Sequence, residues 1–179
     1  MTMNAIQPPN FSLDEALQYS PNARQRILVA DDEPDLRQLC SEVLIRIGYQ
    51  VDSAEDGAAA WRALNNQRYD LLLTDNNMPR VTGVDLLRKV HAARLALPVI
   101  MATATEPLEV FARSPWLQPA MTLLKPFTLA ELVGAVKHVL QTAAQASHQL
   151  PPPPNWQSPA AVLAGKSVGA VARFNQPNQ

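Results

Sequence analysis

Tyr69-Asp70-Leu71-Leu72-Leu73-Thr74-Asp75-Asn76-Asn77-Met78-Pro79 decides how the chain folds. Its apolar run has no in-and-out alternation, the mark of a strand covered on both faces, and it ends on a carboxylate. The same grammar recurs on either side. Upstream, Ile27-Leu28-Val29-Ala30 is a strand candidate running into Asp31-Asp32-Glu33, and Pro34 stands where a first helical turn tolerates it. Leu36, Leu39, Cys40, Val43, Leu44 and Ile47 then recur at helical spacing. Residues 49–54 read as a strand and 57–64 as an Ala-rich helix. Downstream, 84–91 reads as a helix, and 98–102 and 121–124 as strands. Thr128 and Glu131 form a capping box that opens a last helix with an apolar face at Leu132, Val133, Val136 and Leu140. Pro107, Pro115 and Pro119 limit any helix between the last two strands to about two turns. Five apolar strands alternating with helices predict an α/β fold with a parallel sheet covered on both faces.

The 179 residues are 47% hydrophobic, enough for one buried core with attachments. Lys and Arg number 15 against 16 Asp and Glu, a net charge of -1, so the basic footprint of a nucleic-acid binder is missing and no nucleic-acid partner is expected. Cys40 is the only cysteine, which excludes an internal disulfide and a Cys-rich zinc site and suits a reducing, cytoplasmic compartment. Cys40 lies on the apolar stripe of the first helix and is read as a packed thiol. No apolar run approaches the ~18 residues of a membrane span, so no membrane association is expected. Prolines and polar residues gather at both ends, which divides the chain into an N-terminal extension (1–25), a folded domain (26–145) and a Pro-rich tail (146–179). Within the extension, Ser12 and Glu15 form a second capping box over 11–17. Pro151 to Pro154 read as a polyproline II spacer.

Polar residues stand at the carboxyl ends of four of the five strands, where open α/β sheets place their ligands. These are Asp31 and Asp32, Asp75, Thr103 and Lys125. Singly, each has a structural explanation: a helix cap, a turn, a core hydroxyl, a surface lysine. Together they form one site. Three carboxylates at one edge cannot all stay ionised without a cation, and an oxygen-only donor set favours Mg²⁺, with Mn²⁺ also suited, over zinc. Such an ion suits a phosphoryl group, and an ionised carboxylate attacks phosphorus without a general base, so Asp75 can be the nucleophile. Thr103 and Lys125 are the donors placed to answer the added charge. His91, His138 and His148 have no ligand spacing and are read as surface residues.

Asp31-Asp32, Asp75-Asn76-Asn77-Met78-Pro79 with Gly83, Thr103-Ala104 and Lys125-Pro126-Phe127 resemble the receiver domain of bacterial two-component response regulators. The resemblance extends over residues 26–141 and implies a flavodoxin-like, doubly wound sheet of strand order 2-1-3-4-5. It implies that Asp75 is the phosphoacceptor and that Mg²⁺ is held by Asp32, Asp75 and the backbone carbonyl of Asn77, with Asp31 acting through a metal-bound water. Thr103 resembles the hydroxyl that turns toward the phosphoryl group, Lys125 the lysine that pairs with it, and the Lys125-Pro126 bond is cis in this family. Two departures stand out. Thr122 occupies the position, three residues before the lysine, where the family usually has Tyr or Phe. The stretch from Pro107 to Pro119 lacks the usual Gly-Ala pair before the fifth strand, on the face where members commonly dimerise.

The expected function is therefore a stand-alone response regulator that takes a phosphoryl group from a histidine kinase or histidine phosphotransfer protein onto Asp75 and signals to a downstream protein target. It would be a monomer or a phosphorylation-dependent dimer, and it would catalyse only its own phosphorylation and dephosphorylation. The alternative is a receiver-like adaptor that binds its protein partner independently of phosphate. A phosphatase working through an aspartyl phosphate would need a second Asp two residues after the nucleophile, where this chain has Asn77.

Overall fold

A computed structural model describes residues 25–149. The helix expected over 11–17, the polyproline spacer and the tail beyond it lie outside the described residues. The sheet has five parallel strands: β1 (Arg26–Ala30), β2 (Gln50–Ala54), β3 (Leu71–Asp75), β4 (Val99–Thr103) and β5 (Met121–Leu124), in the order β2-β1-β3-β4-β5. Between them run α1 (Pro34–Arg46), α2 (Gly57–Asn66), α3 (Gly83–Ala92) and α4 (Leu108–Arg113), and α5 (Leu129–Gln149) follows β5. The expected flavodoxin-like, doubly wound topology is the observed one.

Period-two alternation along each strand splits the core in two. Ile27, Val29, Leu71, Leu73, Ile100 and Leu123 face α1 and α5, meeting Cys40, Leu44, Leu132, Val136 and Leu140. Leu28, Ala30, Leu72, Val99 and Met101 face the other way, onto Ala60, Leu64, Leu86, Leu87, Val90 and Phe111. Because both faces are covered, the central strands β1, β3 and β4 read as nearly unbroken apolar runs, whereas β2, at the sheet edge, is not the apolar strand expected: of Gln50-Val51-Asp52-Ser53-Ala54 only Ala54 is buried. Cys40 is packed as expected, and burial first, then the nearby Asp31 carboxylate, pushes its thiol up to about 11. Among the other polar residues singled out from the sequence, His91 and His138 are exposed.

Helix ends follow local chemistry. Pro34 opens α1. The Asp56 carboxylate caps α2 by accepting from Ala59 N at 2.7 Å, and Thr82 Oγ1 caps α3 by accepting from Asp85 N at 3.1 Å. α4 has six residues, bounded by Pro107 and by a 3₁₀ turn at Pro115–Leu117, in keeping with the limit that the prolines set. At the start of α5, Thr128 N donates to Glu131 Oε2 at 2.7 Å and Glu131 N donates to Thr128 Oγ1 at 3.2 Å, the expected capping box. Thr128→Ala is expected to cost about 1 kcal/mol in urea unfolding. The hydrogen bond from the Thr128 backbone holds the Glu131 carboxyl below its ordinary value. A group with a lowered folded pKa stabilises above its unfolded value, and that contribution is lost as pH falls through the folded one. Glu131→Ala should therefore lower the urea midpoint at pH 7, and the gap to wild type should close as pH drops below about 4.

Candidate functional site

The strand order reverses direction at β1 and β3, and the crevice at such a switch point, beyond the carboxyl ends of the strands, is where a doubly wound sheet presents its ligand site. β1 delivers Asp31 and Asp32 to that crevice, and β3 delivers Asp75. Carboxylate oxygens of the three residues lie within 4.8 Å of one another. Asp31 and Asp75 are buried, at 5% and 7% exposure, whereas Asp32 faces solvent.

Backbone and side chains hold this arrangement. Glu33 N donates to Asp31 Oδ1 at 2.9 Å, and Asn76 N donates to Asp75 Oδ1 at 2.7 Å. From the end of β5, Lys125 reaches across β4 and β3 and places Nζ 2.9 Å from Asp31 Oδ2 and 3.4 Å from Asp75 Oδ2. Its peptide bond to Pro126 is cis. Burial disfavours the Lys125 charge, but hydrogen bonding and attraction from Asp31 and then Asp75 outweigh it, so its pKa is raised. The ammonium offsets one of three negative charges and leaves two, the charge of one divalent cation. An oxygen-only set of this size and charge fits a hard ion such as Mg²⁺.

Thr103 ends β4 fully buried, with its hydroxyl donating to Thr105 O at 3.0 Å, toward its own loop. To donate to a group on Asp75 it must give up that bond. Asn77 lies exposed on the loop after β3. Thr122 lies half-buried on β5.

Several contacts escaped the sequence reading. Arg37 Nη1 donates to the Asp31 carbonyl at 2.6 Å, bracing the acidic turn from α1. Asn76 Oδ1 accepts from Val84 N at 3.2 Å, tying the loop after Asp75 to the start of α3. Gly83 is buried so close to β3 that a Cβ there would stand 2.3 Å from Asp75 O. Gly57, at the start of α2 as expected, is pressed against the Val81 carbonyl. Asn76 and Gly83 stood in the motif read from the sequence, but nothing in it gave their partners.

The response regulator receiver domain family matches residues 27–137. The receiver protein CpdR of Brucella abortus is 32% identical over 119 residues, covering 66% of this chain and 99% of that protein. A CheY-like receiver domain from Methanospirillum hungatei superimposes with a TM-score of 0.65 at 26% identity, over 69% of this chain and 98% of that one. TrrA of Thermotoga maritima, solved in complex with Mg²⁺ and BeF, is 31% identical with a TM-score of 0.57, over 64% of this chain and 98% of that one. Escherichia coli sensor proteins match at 37% and 40% identity, but the chain spans about a tenth of their length.

Proposed function

The chain belongs to the response regulator receiver family, and from that premise we propose that it accepts a phosphoryl group onto Asp75 from a phosphohistidine of a histidine kinase or histidine phosphotransfer protein. The N–P bond of the donor breaks as the Asp75 Oδ–P bond forms, and the freed imidazole nitrogen takes up a proton. Asp31, Asp32 and Asp75, with the Asn77 carbonyl, would hold Mg²⁺ or Mn²⁺, which supplies charge compensation for the phosphoryl oxygens. Lys125 stabilises the new charge on Asp75, and Thr103 donates its hydroxyl after leaving Thr105 O.

The observation that carries this reading is the convergence of three carboxylates within 4.8 Å, with the Lys125 amine bridging Asp31 and Asp75. The Mg²⁺ and BeF complex of TrrA supports it by analogy. Incubation with a small acyl phosphate and Mg²⁺ is expected to add one phosphoryl group, seen by intact mass, and a chelator should prevent it. No mass gain with Mg²⁺ present would overturn the proposal.

Thr122 in the usual aromatic position favours a second reading, an adaptor whose partner binding ignores phosphate. Equal affinity of the phosphorylated and unmodified forms for the same protein partner would support it. No helix among the described residues is long and apolar enough to cross a membrane, and a cytoplasmic location is proposed on the family's role.

A further inference from the structure

The loop from Asn76 to Thr82 carries Asn77, a proposed metal-holding residue, yet is anchored at its middle by a contact that involves none of the three clustered carboxylates. Asp56 is 1% exposed. Its Oδ1 accepts from Ala59 N, and its Oδ2 pairs with the Arg80 guanidinium, 24 residues along the chain. Arg80 adopts φ 68°, a left-handed conformation that costs energy in any residue but glycine and persists only where its surroundings fix it. Next to this pair, a Cβ at Gly57 would stand 2.2 Å from Val81 O, so the loop backbone lies directly on the first turn of α2. At its ends the loop is held by Gly83 N donating to Asn76 O at 3.1 Å and by Asn76 Oδ1 accepting from Val84 N. Met78 is buried beneath it. Its middle is gripped by the ion pair.

We propose that Arg80 and Asp56 form a positioning clamp that sets the course of the 76–82 loop and thereby the readiness of the acidic pocket for a divalent cation. This rests on the metal-holding role proposed above. The Arg80 side chain is 66% exposed, so removing it leaves no core cavity. Its effect should fall on the loop it anchors.

Two variants separate positioning from simple charge. Arg80→Gln leaves Asp56 as a bare anion, and Asp56→Asn leaves Arg80 as a bare cation while keeping a side chain that still caps α2. Electrostatics alone would raise Mg²⁺ affinity in the first and lower it in the second. A clamp predicts that both weaken. Mg²⁺ titration of the full chain, followed through the amide signals of Asn76, Asn77 and Gly83, should show a roughly three- to tenfold loss in each variant, just below the roughly 10–100-fold that direct partners of metal ligands cost, because Arg80 acts through the loop backbone. Arg80→Lys should restore most of it. Wild-type affinity in both variants, or shifts of opposite sign, would overturn the clamp. Failure of the wild type to bind Mg²⁺ would instead sink the metal-holding reading on which it rests. Urea midpoints measured alongside report loss of fold, and a variant that loses stability while keeping its Mg²⁺ affinity also counts against the clamp.

Discussion

Asp75→Asn is expected to reduce phosphoryl uptake from an acyl phosphate by at least about a thousandfold while leaving the fold intact. The carboxamide keeps the shape of the side chain and an oxygen that can accept from Asn76 N, as Asp75 Oδ1 does at 2.7 Å. It has no anionic oxygen to attack phosphorus. Lys125 keeps its shorter contact, 2.9 Å to Asp31, and gives up only the 3.4 Å contact to Asp75. Repulsion among three clustered carboxylates falls at the same time, so the unfolding free energy should stay within about 1 kcal/mol of wild type or rise slightly. Mass spectrometry of intact protein and a urea titration check the two halves. Uptake by the variant at the wild-type rate would place the acceptor on another residue.

Gly83→Val should be the most damaging single substitution near the site, costing upward of about 3 kcal/mol. The contacts of an added Cβ are all backbone: Asp75 O at 2.3 Å, Asn76 Cα at 2.9 Å and Asp75 C at 3.0 Å. None can rotate aside. The Asp75 carbonyl is also fixed by the Thr74 hydroxyl, which donates to it at 2.9 Å. Relief therefore requires α3 to move off β3, which would uncover Leu86 and Leu87 in the core and shift the residue proposed to take the phosphoryl group. The expected readout is a large drop in urea midpoint, accompanied by loss of phosphorylation in whatever fraction remains folded. A midpoint equal to wild type would show that the approach of α3 to β3 is looser than this contact implies.

Much of this site was legible from sequence because the ends of buried strands are legible. An apolar run that stops abruptly on Asp31, Asp75, Thr103 or Lys125 announces both the strand and the edge to which it delivers its last residue. The Thr128–Glu131 capping box was equally plain, since both partners lie within one helical turn. Neighbouring order in the sheet was not encoded this way. It came from the resemblance to a known family, because the buried strands β1, β3 and β4 are all short apolar runs whose sequences do not say which pairs with which.

The local elements, the two-sided burial of the central strands and the carboxylate-lysine set at one rim could be read from the chain, because these depend on the period of hydrophobicity and on residues adjacent in sequence. Tertiary structure alone decided which groups touch. The Asp56–Arg80 pair spans 24 residues, and the Lys125–Asp31 contact spans 94. The direction of the Thr103 hydroxyl and the press of Gly83 on Asp75 were also settled only there. The Lys125–Asp31 contact depends on the order in which the sheet brings β1 and β5 to one edge, and the contacts of Asp56, Gly57 and Gly83 depend on how α2 and α3 settle against the same sheet face, where backbone atoms approach until only the absence of a side chain lets them meet.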